Sequence, residues 1–258
     1  MSDYDTIQAS IADSVGTITL NRPDRLNALN PAMMGEIVDA VATMPSRGAR
    51  AILLNAAGRG FCSGTDLQGE GLPEDVGAIL EEYYHPGLEQ IMAAPLPMVA
   101  AVHGATAGIG CSLALVADFV VAARSAYFLQ AFVNIGLVPD GGATWMLPRL
   151  VGRARAIEMM MLGEKVPAEQ AAQWGMIHKT VDDDVLMDKA MELASRLAKG
   201  PTHALGLIRN GVSQAMDNTF SQTLAMERQH QREAGYSADF KAGVQAFLAK
   251  RAPIFEGK

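Results

Sequence analysis

The carboxylate of Asp140 has the sequence surroundings that best suit a proton-transferring group. It is the only acidic residue between Asp118 and Glu158, and most of its neighbours are apolar. Apolar surroundings disfavour the charged form of a carboxyl group and raise its pKa towards values that suit general acid–base catalysis. Asp140 could instead do no more than begin the turn at residues 139–142, where Asp and Gly are common. These residues alone leave both interpretations open.

Three glycine-rich segments could bring backbone N–H groups to a ligand. They cover residues 58–67, 104–110 and 138–142. The first two follow predicted strands, and the second also begins a predicted helix. Glycine lets the chain turn sharply and approach a ligand closely, and the amides at a helix start can hold an anion.

Other chemistries are poorly supported. Segment 104–110 lacks the third glycine of a dinucleotide fingerprint, because Leu113 occupies that position, and no Walker phosphate loop is present. Ser63 and Ser112 lie outside any nucleophile elbow, and Cys62 carries no signature of a thiol enzyme. The five histidines have no metal-ligand spacing, so we expect no metal site.

A mixed α/β scaffold has to position these groups. Short apolar runs without polar alternation predict strands buried on both faces, which favours parallel pairing through crossover helices. The predicted strands cover residues 15–20, 51–54, 97–102 and 118–122, and the predicted helices cover residues 30–44 and 112–116.

The last third of the chain has a helical pattern. After Ala168 apolar residues recur at helical spacing, as in Leu186, Ala190, Leu193 and Leu197, which share one face. Gly200 and Pro201 interrupt this pattern, which then resumes up to Lys250. We therefore expect an α/β body followed by a helical C-terminal region.

Composition excludes several classes of protein. The 258 residues are 49% hydrophobic and carry a formal net charge of −7, so neither disorder nor a broad nucleic-acid or anionic-membrane surface is expected. Two cysteines and a start without a basic or apolar leader favour the reducing cytoplasm. Prolines and glycines interrupt the uncharged stretch 90–117, which we interpret as a buried strand, a turn and a buried helix rather than a membrane span.

Three segments taken together resemble the crotonase (enoyl-CoA hydratase/isomerase) superfamily. Residues 18–29 (ITLNRPDRLNAL) resemble its N-terminal signature, and residues 60–67 and 101–111 resemble its two acyl-CoA loops, in the family's order and spacing. The resemblance covers essentially the whole chain. It implies a spiral of ββα units over residues 1–195 and a helical trimerisation region over residues 196–258, in a homotrimer or a dimer of trimers.

The resemblance also implies a site. Family members hold the carbonyl oxygen of an acyl-CoA thioester between two backbone N–H groups, which here belong to Thr65 and Ile109, and need no cofactor beyond the CoA of the substrate. The implied contacts to substrate and CoA are Arg25, Ala28, Ser63, Gly64, Asp66, Leu67, Gly110, Phe132, Pro139 and Gly141. Phe247 and Lys250 match residues that reach the CoA of a neighbouring subunit.

The departures from the family pattern point to one activity. Hydratases of the family use two glutamates, and their positions hold Ser112 and Phe132, so simple hydration is not expected. Segment 128–145 is most similar to the branch that isomerises epoxyphenylacetyl-CoA to its oxepin form and moves enoyl double bonds from C3 to C2. The aspartate that matches Asp140 is the acid/base of that branch, which implies an acyl-CoA isomerase that works through a thioester enolate.

Other activities stay open at this stage. His85 falls where the aroyl-CoA dehalogenases of the superfamily carry a histidine, although their tryptophan is replaced by Phe132. Some relatives bind RNA, for which the acidic balance is unfavourable but a patch of Arg149, Arg153 and Arg155 could suffice. A scaffold that binds acyl-CoA without catalysis is the last alternative, and the presence of Asp140 argues against it.

Overall fold

Two β-sheets form the centre of the fold. The computed structural model describes residues 4–68 and 75–258. Its strands are β1 (Ile7–Ala12), β2 (Val15–Leu20), β3 (Ala51–Ala56), β4 (Met98–Val102), β5 (Ala105–Ala107), β6 (Phe119–Ala123), β7 (Tyr127–Leu129), β8 (Lys165–Pro167) and β9 (Lys179–Val181). Six of them form one sheet in the order β1-β2-β3-β4-β6-β9, and the other three form a second sheet in the order β5-β7-β8.

The larger sheet is parallel except at one edge. Strands β2, β3, β4, β6 and β9 pair in parallel, and β1 pairs with β2 as an antiparallel hairpin. Every residue of β4 is buried, which explains its continuous apolar sequence. Strand β1 alternates between covered and exposed residues, as an edge strand with one solvated face does.

Helices connect the strands and cover the larger sheet. They are α1 (Pro31–Thr43), α2 (Val76–Ile79), α3 (His85–Met92), α4 (Ile109–Leu115), α5 (Ala143–Val151), α6 (Arg153–Leu162), α7 (Ala168–Gln173), α8 (Leu186–Ala198), α9 (Thr202–Ala215), α10 (Phe220–Tyr236) and α11 (Ala238–Leu248). A π-helical turn, Leu80–Tyr84, joins α2 to α3. Short 3-10 turns lie at Pro23–Arg25, Pro45–Arg47, Ala131–Ile135 and Asp183–Val185.

The predicted α/β class is confirmed, and the strongest local patterns were placed well. Strand β2 has the predicted bounds, while β3, β4 and β6 differ from prediction by one or two residues at an end. The prediction of helix alone after Ala168 is wrong, because β9 pairs in parallel with β6 there. Strand β9 has only three residues, all half-buried, which are too few to show a hydrophobic period in the sequence. Backbone pairing across the sheet therefore decides its structure.

The C-terminal helices differ from the body in how little they bury. Helix α8 packs on β3, β4 and β6 and runs through the predicted boundary at residues 195/196. The division of the chain into a core and an oligomerisation region stays a prediction. Helix α10, by contrast, buries none of its residues within the described chain. Within residues 4–68 and 75–258, no helix has both the length and the apolar character that crossing a bilayer would require.

Candidate active site

A cavity of about 670 Å³ opens where the three glycine-rich segments meet. The predicted site residues that line it are Ser63, Gly64, Thr65, Asp66, Leu67, Ile109, Phe132, Pro139, Asp140 and Gly141. The fold therefore brings together residues from segments 58–67, 104–110 and 138–142, which are far apart in the chain. The sequence indicates no regular structure for the loop of residues 68–80. Residues 69–74 of this loop lie outside the described residues.

The loop after β3 directs the backbone of Thr65 towards this cavity. Leu29 donates its N–H to the Gly64 carbonyl at 2.7 Å, and its own carbonyl accepts the Asp66 N–H at 2.8 Å. This pattern is a one-residue parallel bridge between Leu29 and Thr65. In a parallel bridge the two flanking residues make the hydrogen bonds, so the N–H of the central residue points away from the partner. The N–H of Thr65 is thereby left for the cavity.

Ile109 is the first residue of helix α4, which begins after a sharp turn at Gly108. Gly108 has φ 52°, in the left-handed region that favours glycine, and a Cβ there would lie 3.6 Å from the Cα of Gly64. The two loops therefore approach closely, and Thr65 and Ile109 each follow one of these glycines.

The N–H groups of Thr65 and Ile109 are available to a ligand. Within residues 4–68 and 75–258 neither group donates a hydrogen bond to a protein acceptor. For Ile109 this follows from its place at the helix start, because the first N–H groups of a helix have no intrahelical partner. Two such donors on one cavity can stabilise an oxygen atom that gains negative charge, and the helix dipole of α4 adds to the effect.

Asp140 lines the same cavity and lies shortly before α5 begins. Its Oδ1 atom is buried without a hydrogen-bond partner among the described residues. Burial raises the pKa of Asp140 to about 6, and no cation among the described residues opposes this shift. Gly141 allows the close packing, because a Cβ there would lie 2.9 Å from Ile109 Cγ1. An uncompensated carboxylate beside two free N–H groups can accept and return a proton.

Asp66 also lines the cavity, but its charge is compensated. Its Oδ2 accepts a hydrogen bond from Arg22 Nη2 at 2.7 Å, and its Oδ1 accepts one from the Gln68 N–H at 3.1 Å. Burial opposes the charge, yet these bonds outweigh burial and hold the pKa of Asp66 below its usual value. Asp66 is therefore suited to holding the loop in shape rather than to moving a proton.

Several predicted contact residues lie outside the cavity wall. Arg25 donates to Gln68 Oε1 at 2.8 Å at the edge of the site, and the carbonyl of Ala28 accepts from Arg22. Gly110 is buried in α4, where a Cβ would lie 2.7 Å from the Cys62 carbonyl oxygen. Phe247 and Lys250 are exposed on the C-terminal helix and the residues after it. Their roles in CoA binding stay predictions.

The two positions that hold glutamates in hydratases carry no acidic group here. Ser112 is buried in α4, and its Oγ has no partner among the described residues. Phe132 is apolar and lines the cavity beside Gly108. Neither side chain can act as a carboxylate acid or base.

The two cysteine thiols are buried. Burial raises the pKa of Cys62 to about 11 and that of Cys111 to about 12, which keeps both thiols protonated and unreactive. In the described part of the chain, no three His, Cys, Asp or Glu residues come together as a metal site would require.

Sequence reasoning missed part of the wall and its support. Leu80, Ile135 and Val138 line the cavity together with His85, which the sequence singled out for another reason. The sequence leaves the orientation of Tyr84 open, and the structure shows it fully buried, with its hydroxyl donating to the Leu29 carbonyl at 2.9 Å. No local pattern signals such a contact, because the two residues are distant in the chain.

Known proteins resemble this chain over its whole length. Residues 10–258 match the family model described as enoyl-CoA hydratase/isomerase. The 1,2-epoxyphenylacetyl-CoA isomerase of Escherichia coli is 46% identical, and the alignment covers 98% of each chain. A Rhodobacter capsulatus protein named "Probable enoyl-CoA hydratase" is 47% identical, with 99% of each chain covered.

The fold is shared as well. A crystal structure of an enoyl-CoA hydratase subunit from Geobacillus kaustophilus superposes with a TM-score of 0.93 at 37% identity, and the match covers 100% of both chains. Such agreement in sequence and in structure confirms the resemblance seen in the glycine-rich loops. This chain is an enzyme of the enoyl-CoA hydratase/isomerase family, the crotonase superfamily.

Proposed function

We propose that the enzyme is an acyl-CoA isomerase that moves a proton through a thioester enolate. The observation that carries this proposal is the buried, unpaired Oδ1 of Asp140 in the cavity that the free N–H groups of Thr65 and Ile109 also line. Enolate formation needs a base that removes the proton and N–H donors that stabilise the charged oxygen, because the C–H bond beside a thioester is only weakly acidic.

The reaction begins when the thioester carbonyl oxygen accepts hydrogen bonds from Thr65 and Ile109. Asp140 removes a proton from C2, and the charge that develops on the carbonyl oxygen is stabilised by the two donors. Each such donor contributes about 3 kcal/mol to the transition state. For a 3-enoyl-CoA, protonated Asp140 returns the proton to C4, which leaves the double bond between C2 and C3.

Epoxyphenylacetyl-CoA is the second substrate in this proposal. Asp140 removes the proton at C2, the C–C bond of the strained epoxide breaks to expand the ring, and protonated Asp140 returns the proton to a ring carbon, so the oxepin form arises with no net oxidation or reduction. The isomerase of Escherichia coli at 46% identity supports this substrate, which would place the enzyme in phenylacetate catabolism. No cofactor beyond the CoA of the substrate is required by either reaction.

Hydration is the main competing activity, because related proteins carry the name of hydratase. Adding water across a double bond requires groups that orient and ionise the water molecule. The residues at the two glutamate positions, Ser112 and Phe132, supply no carboxylate. This difference supports isomerisation over hydration.

Halide displacement is a second candidate, favoured by one observation. His85 and Asp140 line the same cavity, as a dehalogenase with a nucleophilic aspartate would require. The candidate predicts halide release from 4-chlorobenzoyl-CoA, and release that is lost in His85→Gln. No release from this compound, with normal isomerisation by His85→Gln, would remove it.

Assembly as a homotrimer or a dimer of trimers is part of the same proposal. Large apolar side chains are exposed on the C-terminal helices: Ile208, Val212, Phe220, Phe240, Phe247 and Leu248. An exposed apolar surface of this kind supports burial between subunits. In such an assembly Phe247 and Lys250 would reach the CoA of a neighbouring subunit, where the Lys250 ammonium suits a phosphate. The two free thiols support a reducing compartment such as the cytoplasm.

The decisive experiment follows 3-hexenoyl-CoA in deuterated water by mass spectrometry, with wild-type enzyme and Asp140→Asn side by side. Isomerisation conserves mass except for exchanged deuterium, whereas hydration adds a water molecule. We expect 2-hexenoyl-CoA with deuterium incorporation from wild type and neither from the variant. Near-normal turnover by Asp140→Asn, or hydration without isomerisation by wild type, would overturn the proposal.

A further inference from the structure

Tyr84 makes a buried contact that the reaction described above does not use. Its side chain is fully buried, and its hydroxyl donates to the carbonyl oxygen of Leu29 at 2.9 Å. Tyr83, the next residue towards the N-terminus, is 46% exposed. Two adjacent tyrosines therefore have opposite surroundings, and only Tyr84 reaches the loops of the site.

The carbonyl that Tyr84 contacts belongs to the residue that positions Thr65. The same Leu29 oxygen accepts the Asp66 N–H at 2.8 Å, while the Leu29 N–H donates to Gly64 at 2.7 Å. These two bonds on either side of Thr65 determine the plane of its peptide group and thus the direction of its N–H. A displacement of Leu29 would rotate that N–H away from the carbonyl oxygen of the substrate.

We propose that Tyr84 is a positioning residue, whose hydroxyl holds Leu29 in place and thereby aims the Thr65 N–H at the thioester oxygen. The inference rests on the proposed function, because it takes the Thr65 N–H as an oxyanion donor. Oxyanion stabilisation depends on donors that are already oriented when charge develops, so a small loss of orientation costs rate.

The π-helical turn gives Tyr84 its place between the cavity and the loop. The N–H of His85 donates to the Leu80 carbonyl, five residues earlier, so His85 follows Leu80 after one wide turn. Leu80 and His85 both line the cavity, whereas Tyr84 points inwards to Leu29. Single π-helical turns are rare and occur frequently at functional sites. This part of the cavity wall is thus connected through Leu29 to the loop that carries Thr65.

The hydroxyl of Tyr84 remains a donor over the working range of the enzyme. Burial raises the pKa of Tyr84, the charge of Asp140 raises it further, and the Thr65 side chain opposes the shift. The phenol therefore stays protonated, and its bond to Leu29 persists whether Asp140 is ionised or not.

The test compares Tyr84→Phe with Tyr83→Phe, a matched control that removes the same atom from an exposed ring. The probe is 2,4-hexadienoyl-CoA, whose conjugated thioester absorbs at longer wavelength when donors polarise its carbonyl. We expect Tyr84→Phe to lose at least about half of this red shift and to lower kcat for 3-hexenoyl-CoA about tenfold, with KM within about twofold. Tyr83→Phe should match wild type in all three.

A purely structural role would give a different result. Tyr84→Phe would then be less stable to denaturant but keep the red shift and kcat, and this outcome would overturn the inference. Excess ligand during the measurements keeps a weakened variant folded. A 3-fluorotyrosine at position 84 keeps both ring and donor, so we expect wild-type values, and a loss like that of Tyr84→Phe would also overturn the inference. Failure of the proposed function is distinguishable, because wild type itself would then not isomerise 3-hexenoyl-CoA, whatever the red shifts of the variants.

Discussion

Two aspartates illustrate how the surroundings of a carboxylate decide its use. Asp118 lies where the C-terminal helices meet the body, and both of its oxygens are bonded: Arg209 Nε donates at 2.8 and 3.0 Å, and the Met98 N–H donates to Oδ2 at 2.7 Å. Asp140 lies at the cavity, and its Oδ1 has no partner among the described residues. One carboxylate is paired, and the other is left uncompensated.

The difference separates a stabilising role from a chemical one. Arg209, only 6% exposed, also donates to the carbonyl oxygens of Ile91, Met92, Ala94 and Val116, so that one side chain bonds α9 to the body. Burial raises the pKa of Asp118 as well, but the bonds from Arg209 and Met98 oppose this shift, and protonation would cost several of them. Asp140 can gain or lose a proton with few bonds broken, and its pKa of about 6 keeps both forms within reach.

The largest effect should come from exchanging each carboxylate for an amide. Asp140→Asn should lower kcat about 10²- to 10⁴-fold, the usual contribution of a general acid–base group, without loss of thermal stability. Asp118→Asn should keep kcat within about twofold but unfold at a lower temperature. Steady-state kinetics and thermal unfolding of both variants test the comparison. Equal loss of activity in the two variants would contradict it.

Removal of Arg209 should give the next largest effect, on stability. Arg209→Met leaves Asp118 without its counter-ion and several carbonyls without a donor, which should lower the free energy of unfolding by about 3 kcal/mol. Arg196→Met, on the exposed face of α8, is the control and should stay within about 0.5 kcal/mol of wild type. Denaturant unfolding measures both. A loss of activity in folded Arg209→Met would show that the junction does more than stabilise.

The pH dependence of turnover should follow Asp140. The base form is the carboxylate, so kcat/KM should fall about tenfold per pH unit below pH 6 and reach a plateau above it. Initial rates with 3-hexenoyl-CoA between pH 4.5 and 8 provide the measurement. An acidic limb that is unchanged in the residual activity of Asp140→Asn would assign the titration to another group.

The smallest effect concerns stability as a function of pH. The pKa of Asp140 is higher in the folded protein, about 6, than in the unfolded chain, about 3.9, so folding favours the protonated form. The stabilisation of the folded protein by protonated Asp140 is complete below pH 4 and is lost as the pH rises through 6. Because the site is partly open to solvent, Asp140→Asn should be more stable than wild type by only about 1 kcal/mol at pH 7. The difference should vanish near pH 4, and a constant difference would contradict the assignment.

The sequence determined much of the fold because some structural signals are local. Strand β2 could be predicted from its β-branched residues, and the buried strand β4 from continuous apolar residues, since strands covered on both faces need no polar alternation. The glycines of the two loops indicate sharp turns by residue type alone, because the combination of φ 52° and ψ −132° at Gly108 is accessible almost only to glycine. Asp140 stood out by its isolation among apolar residues, which left a role in the turn equally open, and the family resemblance favoured the catalytic role.

Tertiary structure alone decided how these parts work together. The bridge from Leu29 to Thr65, the approach of Gly64 to Gly108 and the bond from Tyr84 to Leu29 join residues that are distant in the chain. Strand β9 forms only because β6 offers it backbone partners. Side-chain types predict what a residue can do, whereas burial and hydrogen-bond partners depend on which segments meet. For that reason the sequence suggested Asp140, and only the folded chain showed that Asp118 is paired and Asp140 is not.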